Sequence, residues 1–203
     1  MNKKEKARLI EKVLFELFPE RPVLLDHRDA YTLLIAVLLS ARCTDAKVNQ
    51  VTPILFALAD TPEKMAQLDP EQVREIIRPC GLSPTKSKAI VGLSKILIEK
   101  YDGQVPESFE ALESLPGVGH KTASVVMSQA FGVPAFAVDT HIFRLARLWG
   151  LSKGKNTDTV EADLKKIFPK KLWLDIHVRM VLYGRLYCNS RGCGNSCLIC
   201  SQI

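Results

Sequence analysis

Apolar positions along the chain recur at helical spacing, and no segment keeps up a strict apolar–polar alternation. Over residues 3–18 (KKEKARLIEKVLFELF) they return every three or four residues between charges, as on a helix with one buried face, and Phe18-Pro19 ends the pattern. Residues 30–40 (AYTLLIAVLLS) are apolar nearly all round but too short to span a bilayer, which predicts a helix buried inside the protein. Asp45 to Leu58 is a further helix, with Thr44 as its N-cap. Thr61-Pro62, Asp69-Pro70 and Ser83-Pro84 each set a capping side chain ahead of a proline at the first helical position. Gln72 completes a capping box with Asp69. The helix from Pro84 runs to Tyr101-Asp102-Gly103. Residues 108–115 are helical, a second helical pattern (KTASVVMSQAF) starts at Lys121, and Phe131-Gly132 closes it. After an extended link over 133–138 come helices from Asp139 to Trp149, from a Thr157 cap to Phe168-Pro169, and from Leu172 to Tyr187. The pattern predicts an all-α fold of about ten helices.

One junction stands out. In Leu115-Pro116-Gly117-Val118-Gly119-His120-Lys121, proline stops one helix, two glycines permit a tight turn, and the next helix begins at once. The N–H groups of such a helix start attract an anion such as phosphate. Lys121 lies in the first turn. At a reference pKa near 10.4 only about 0.04% of a lysine is neutral at pH 7, so a nucleophilic role needs a depressed value. The positive end of the helix dipole pushes that way, and so would burial. A lysine serving phosphate as a point charge is the plainer alternative. Asp139 opens the next helix. It suits an N-cap, and it equally suits a carboxylate that moves a proton or steadies positive charge on a sugar. A carboxylate close to Lys121 would raise the lysine's pKa against the dipole.

Composition narrows the partners. The chain has 203 residues, a formal net charge of +6 and an isoelectric point near 9.0, which fits a polyanionic partner. No run of eighteen apolar residues is present, so no membrane span is expected. The start lacks the apolar stretch and cleavage site of a signal peptide, which points to a cytoplasmic protein. Cys43 and Cys80 stand alone, whereas Cys188, Cys193, Cys197 and Cys200 crowd together. In a cytosolic protein such crowding reads as metal binding before disulfides.

LPGVGHKTA followed by VDTHIFRLARLWGL resembles the endonuclease III family of helix-hairpin-helix DNA glycosylases. The similarity extends through LLSARCTDAKVN, CGLSPTKSKAI and the C-terminal cysteines, nearly the whole chain. It implies a DNA-repair enzyme that excises damaged, oxidised pyrimidines and cleaves the abasic strand by β-elimination. Lys121 would be the catalytic amine that attacks C1′ of a flipped nucleotide, and Asp139 its catalytic partner. Gly117, Val118 and Gly119 would grip a phosphate. Leu82 and Arg42 would fill the gap left in the duplex, Arg42 standing where the family usually has glutamine. His141 and Asp45 match positions near the site, His141 as a DNA-binding residue, with a structural role the alternative for both; Glu113 could equally be a solvated helix residue. The resemblance implies two helical domains with a DNA-binding cleft between them, residues 22–133 against 1–21 plus 134–203. It also implies a monomer acting on damaged or abasic double-stranded DNA. The cysteines would hold a [4Fe–4S] cluster. Their intervals of four, three and two residues depart from the family's six, two and five, which leaves zinc open. Rival readings are a non-catalytic helix-hairpin-helix DNA-binding module and a pyrimidine-dimer or mismatch glycosylase.

Overall fold

The computed structural model describes residues 1–190, 192 and 197–203. Cys193 and Arg191 lie outside them. Among the described residues the chain forms eleven α-helices, two 3-10 turns and no strand beyond an isolated bridge between Asn189 and Gly192. No helix among them is long and apolar enough to cross a membrane. The chain divides into two compact units, residues 23–133 and residues 1–22 with 134–203.

The unit of residues 23–133 is built around α2 (Ala30–Ser40), in which Leu33, Leu34, Ile35, Ala36 and Leu39 are essentially inaccessible to solvent. Asp29 caps it, with Thr32 in a reciprocal capping box. Helix α3 (Asp45–Leu58) packs on α2 and starts at its Thr44 cap. Helices α4 (Pro62–Ala66) and α5 (Pro70–Ile77) begin at Thr61 and Asp69, each with proline next, and both pack on α6 (Ser83–Tyr101). A buried hydrogen bond of 2.7 Å between the Tyr31 hydroxyl and Ser94 Oγ ties α2 to α6. Short α7 (Phe109–Glu113) precedes α8 (His120–Ala130), which packs on α2.

The start of α6 departs from expectation. Ser83 does not cap it. The N-cap position is Leu82, in a left-handed conformation with no side-chain capping bond, and Ser83 is the first helical residue. A turn that holds Leu82 at φ 51° has moved the helix start one residue back.

The other unit joins α1 (Lys3–Leu17) to α9 (Thr140–Leu148), α10 (Thr157–Ile167) and α11 (Trp173–Leu186). Helix α11 is its centre, packed on α9 and α1, with Tyr183 fully buried and in edge contact with Trp149. Arg179 is 2% exposed. Its guanidinium donates to the Phe18 and Pro19 carbonyls and to Asp175, fastening the end of α1 to α11. Helix α10 is capped by Asn156 and not by Thr157, which is its first residue. Both neighbours can cap, and the asparagine side chain accepts the Thr159 N–H at 2.9 Å.

Candidate functional site

The hairpin is set by its glycines unequally. Gly117 has φ 77°, and a Cβ there would stand 2.9 Å from Ala89 Cβ and 3.0 Å from Leu38 Cδ1. Only glycine fits that backbone in that space. Gly119 adopts ordinary extended φ and has open space around it. Its role is to cap α8 without a side chain, so no capping bond occupies the N–H groups of the first turn. Val118 serves differently: its side chain is buried, and its N–H donates to the Leu115 carbonyl inside the turn at 3.1 Å.

Lys121 is exposed, one residue into α8. Among the described residues its amine has no hydrogen-bond or ion-pair partner. Next to it, His120 Nδ1 meets Glu113 Oε1 at 2.7 Å, and the imidazole stacks on Phe109. Glu113 is exposed and also braces the hairpin through this contact.

Asp139 caps α9 through one oxygen, which accepts the Ile142 N–H at 2.8 Å. The extended link before it is buried over residues 135–138. Buried His177 on α11 donates from Nδ1 to the Ala137 carbonyl at 2.7 Å and so fixes the approach to Asp139. His141 packs against Gly184, where a Cβ would stand 3.0 Å from His141 Cβ.

Cys188, Cys197 and Cys200 bring their sulfurs within 4.8 Å of one another, a group able to hold a metal ion. Burial would push the Cys197 thiol up, but the Tyr183 hydroxyl and backbone N–H groups of Cys200 and Ile199 outweigh it and bring it down to about 7. The Tyr183 phenol is itself pushed up by burial, so it stays protonated and donates to Cys197 Sγ at 3.0 Å. A sulfur kept ready as thiolate among other soft sulfurs suits iron–sulfur or zinc ligation. From α9, Arg144 reaches this group, donating to the carbonyls of Gly184 and Cys188 and to Cys188 Sγ.

Arg42 and Leu82 project from two turns of the 23–133 unit, both exposed and both left-handed, with φ 54° and 51°. Asp45, in the first turn of α3, is half-buried.

Residues 35–170 match the HhH-GPD superfamily of base excision DNA repair proteins. An endonuclease III of Treponema pallidum is 48% identical over 173 residues, 84% of this chain and 82% of that protein. The solved structure of a trapped endonuclease III–DNA covalent intermediate superposes with a TM-score of 0.92 at 41% identity, covering 97% of this chain and 93% of that one. A non-covalent endonuclease III–DNA complex gives 0.93 at 42% identity, covering 98% and 94%. The chain belongs to the endonuclease III family of base excision DNA repair proteins. Its all-helical, helix-hairpin-helix fold is the family's.

In this endonuclease III-family chain, the sequence motifs single out Lys121 and Asp139 but not the residues that support the segments around them. His177, Arg144 and Tyr183 act through hydrogen bonds to segments fourteen to forty-four residues away along the chain, and no local pattern marks such bonds. Their one common signal is a polar or charged side chain set in an otherwise apolar helical stretch.

Proposed function

We propose that this protein is a bifunctional DNA glycosylase and abasic-site lyase of base excision repair, with Lys121 as nucleophile and Asp139 as its assisting carboxylate. The observation that carries the reading is an unpartnered, exposed lysine in the first turn of the helix after the Gly117–Gly119 hairpin. Relatives captured on DNA, one of them covalently, support it.

The chemistry follows from what a neutral amine can do. A damaged nucleotide leaves the stack at reduced cost because its pairing is weak. Lys121 Nζ attacks C1′, the bond from C1′ to the base breaks, and the base departs with a proton. The bond from C1′ to O4′ then breaks, O4′ takes up a proton, and the nitrogen lone pair forms a protonated imine with C1′. Removal of a C2′ proton then expels the 3′ phosphate oxygen and cuts the strand. Asp139 can accept or return these protons, or steady the cationic sugar while the base leaves. The first-turn N–H groups of α8, with Gly119 leaving them open, hold a phosphate beside the lesion, a contact that positions without reading sequence. Arg42 and Leu82 fill the gap, as apolar wedges and arginine planes do elsewhere.

The metal centre is assigned to Cys188, Cys197 and Cys200, with Cys193 as fourth ligand. A [4Fe–4S] cluster there would cross-link the C-terminal segment, and none of the proton or bond steps above uses it. Arg144 holds Cys188 in place and Tyr183 holds Cys197.

The test is the product. On duplex carrying one oxidised pyrimidine, the protein should release the base and leave a 5′-phosphate end with a 3′ unsaturated aldehyde. Base release with an uncut abasic strand would reduce it to a monofunctional glycosylase. Binding without either product would leave only the DNA-holding module.

A further inference from the structure

Lys86, in the first turn of α6, is 4% exposed. Its Nζ donates to the Leu39 carbonyl at 2.9 Å and to the Cys80 carbonyl at 2.9 Å. Among the described residues no carboxylate pairs with it. Burial lowers its pKa, while the neighbouring Cys43 and Cys80 thiols pull the other way. The helix dipole also disfavours a cation at this end. A buried ammonium held only by main-chain carbonyls is a costly arrangement, and its two partners show what it does.

Leu39 lies three residues before Arg42, and Cys80 two residues before Leu82. Each carbonyl therefore opens one of the two turns that carry the gap-filling side chains. Both turns are strained: Arg42 and Leu82 are non-glycine residues with positive φ. Such a conformation persists only where the surroundings over-determine it. The Lys86 N–H also donates to the Leu82 carbonyl at 3.0 Å, and the Cys43 and Cys80 side chains meet across the same junction.

We infer that Lys86 is a positioning residue for nucleotide extrusion: its ammonium clamps the Arg42 and Leu82 turns to each other, so that both side chains enter the duplex as one rigid unit. The inference rests on the glycosylase reading and on the gap-filling roles of Arg42 and Leu82. Lys86 touches no DNA in this scheme. Without the clamp each wedge must be ordered separately as the base leaves, and the loss falls on extrusion and not on the bond-breaking steps.

The test compares one oxidised pyrimidine in two duplexes, paired opposite a purine or facing a tetrahydrofuran spacer where no pairing resists extrusion. Excision rates are read for wild type, Lys86→Met, Arg42→Ala/Leu82→Ala, and the triple variant, each corrected for folded fraction by circular dichroism. Lys86→Met should slow excision of the paired lesion about ten-fold more than that of the unpaired one. It should also add less than about two-fold to the Arg42→Ala/Leu82→Ala loss on the paired lesion. Equal losses on both duplexes, or a full further loss in the triple variant, overturn the clamp, since a merely structural lysine would behave so. Should Lys86→Met fail to fold, Lys86→Gln, which keeps one amide donor, takes its place: a larger loss on the paired lesion supports the clamp, and equal losses overturn it. A wild-type protein that excises neither lesion defeats the glycosylase reading, not the clamp.

Discussion

Asp139 carries two duties that a pair of substitutions can separate. It caps α9, and its carboxylate is the one proposed to assist Lys121. Asparagine is as good an N-cap as aspartate, whereas alanine is not. Asp139→Asn should therefore keep thermal stability within about 0.5 kcal/mol while slowing base release by roughly 10²-fold or more. Asp139→Ala should lose the same activity and also about 1 kcal/mol of stability in a denaturant melt. Asn at full rate would leave Asp139 a cap and nothing else. The helix starts that carry Lys121 and Asp139 were both legible in the sequence, because residue types announce them. His177 and Arg144 were not. Each acts on a main-chain carbonyl about forty residues away, and a sequence carries no sign of which carbonyl will come near.

Among the elements, the hairpin shows two glycines kept for different reasons. Gly117→Ala meets both a left-handed backbone and crowding from Ala89 and Leu38, so it should cost about 2 kcal/mol or more, seen as a lowered Tm. Gly119→Ala meets neither, and should stay within about 1 kcal/mol of wild type while weakening DNA binding at the uncapped first turn of α8. Filter binding together with calorimetry separates the two. The reverse ranking in stability would show the hairpin to be built otherwise. Helix starts were mostly readable because Thr44, Thr61, Asp69 and Asp139 cap by their own chemistry. Ser83 failed as a cap because Leu82 is held left-handed by a turn fixed from outside it, through Lys86 and its distant carbonyl partners. Local propensity gave way there to tertiary contact.

For the molecule as a whole, charge and sulfur set the expectations. A net charge of +6, with the phosphate grip proposed for the hairpin, should make affinity for duplex DNA depend on salt. If about five to eight phosphates are neutralised, log K should fall against log salt with a slope of roughly −4 to −7. A flat dependence would contradict the phosphate grip. The protein purified without oxygen should carry iron and sulfide with a thiolate-to-iron absorption band, lost in Cys197→Ser, and zinc in their place would contradict the cluster. The grouping of the cysteines was visible in the chain. The preparation of Cys197 as a ligand was not, because it depends on a phenol buried fourteen residues earlier in α11.

The central claim is that one amine, Lys121 Nζ, bonds to deoxyribose. Reducing the protein with borohydride on abasic duplex, digesting the adduct and mapping it by mass spectrometry tests this directly. A sugar-modified peptide carrying the mass on Lys121, with no adduct from Lys121→Gln, is the predicted result. An adduct on another amine, or one that survives in Lys121→Gln, would contradict it.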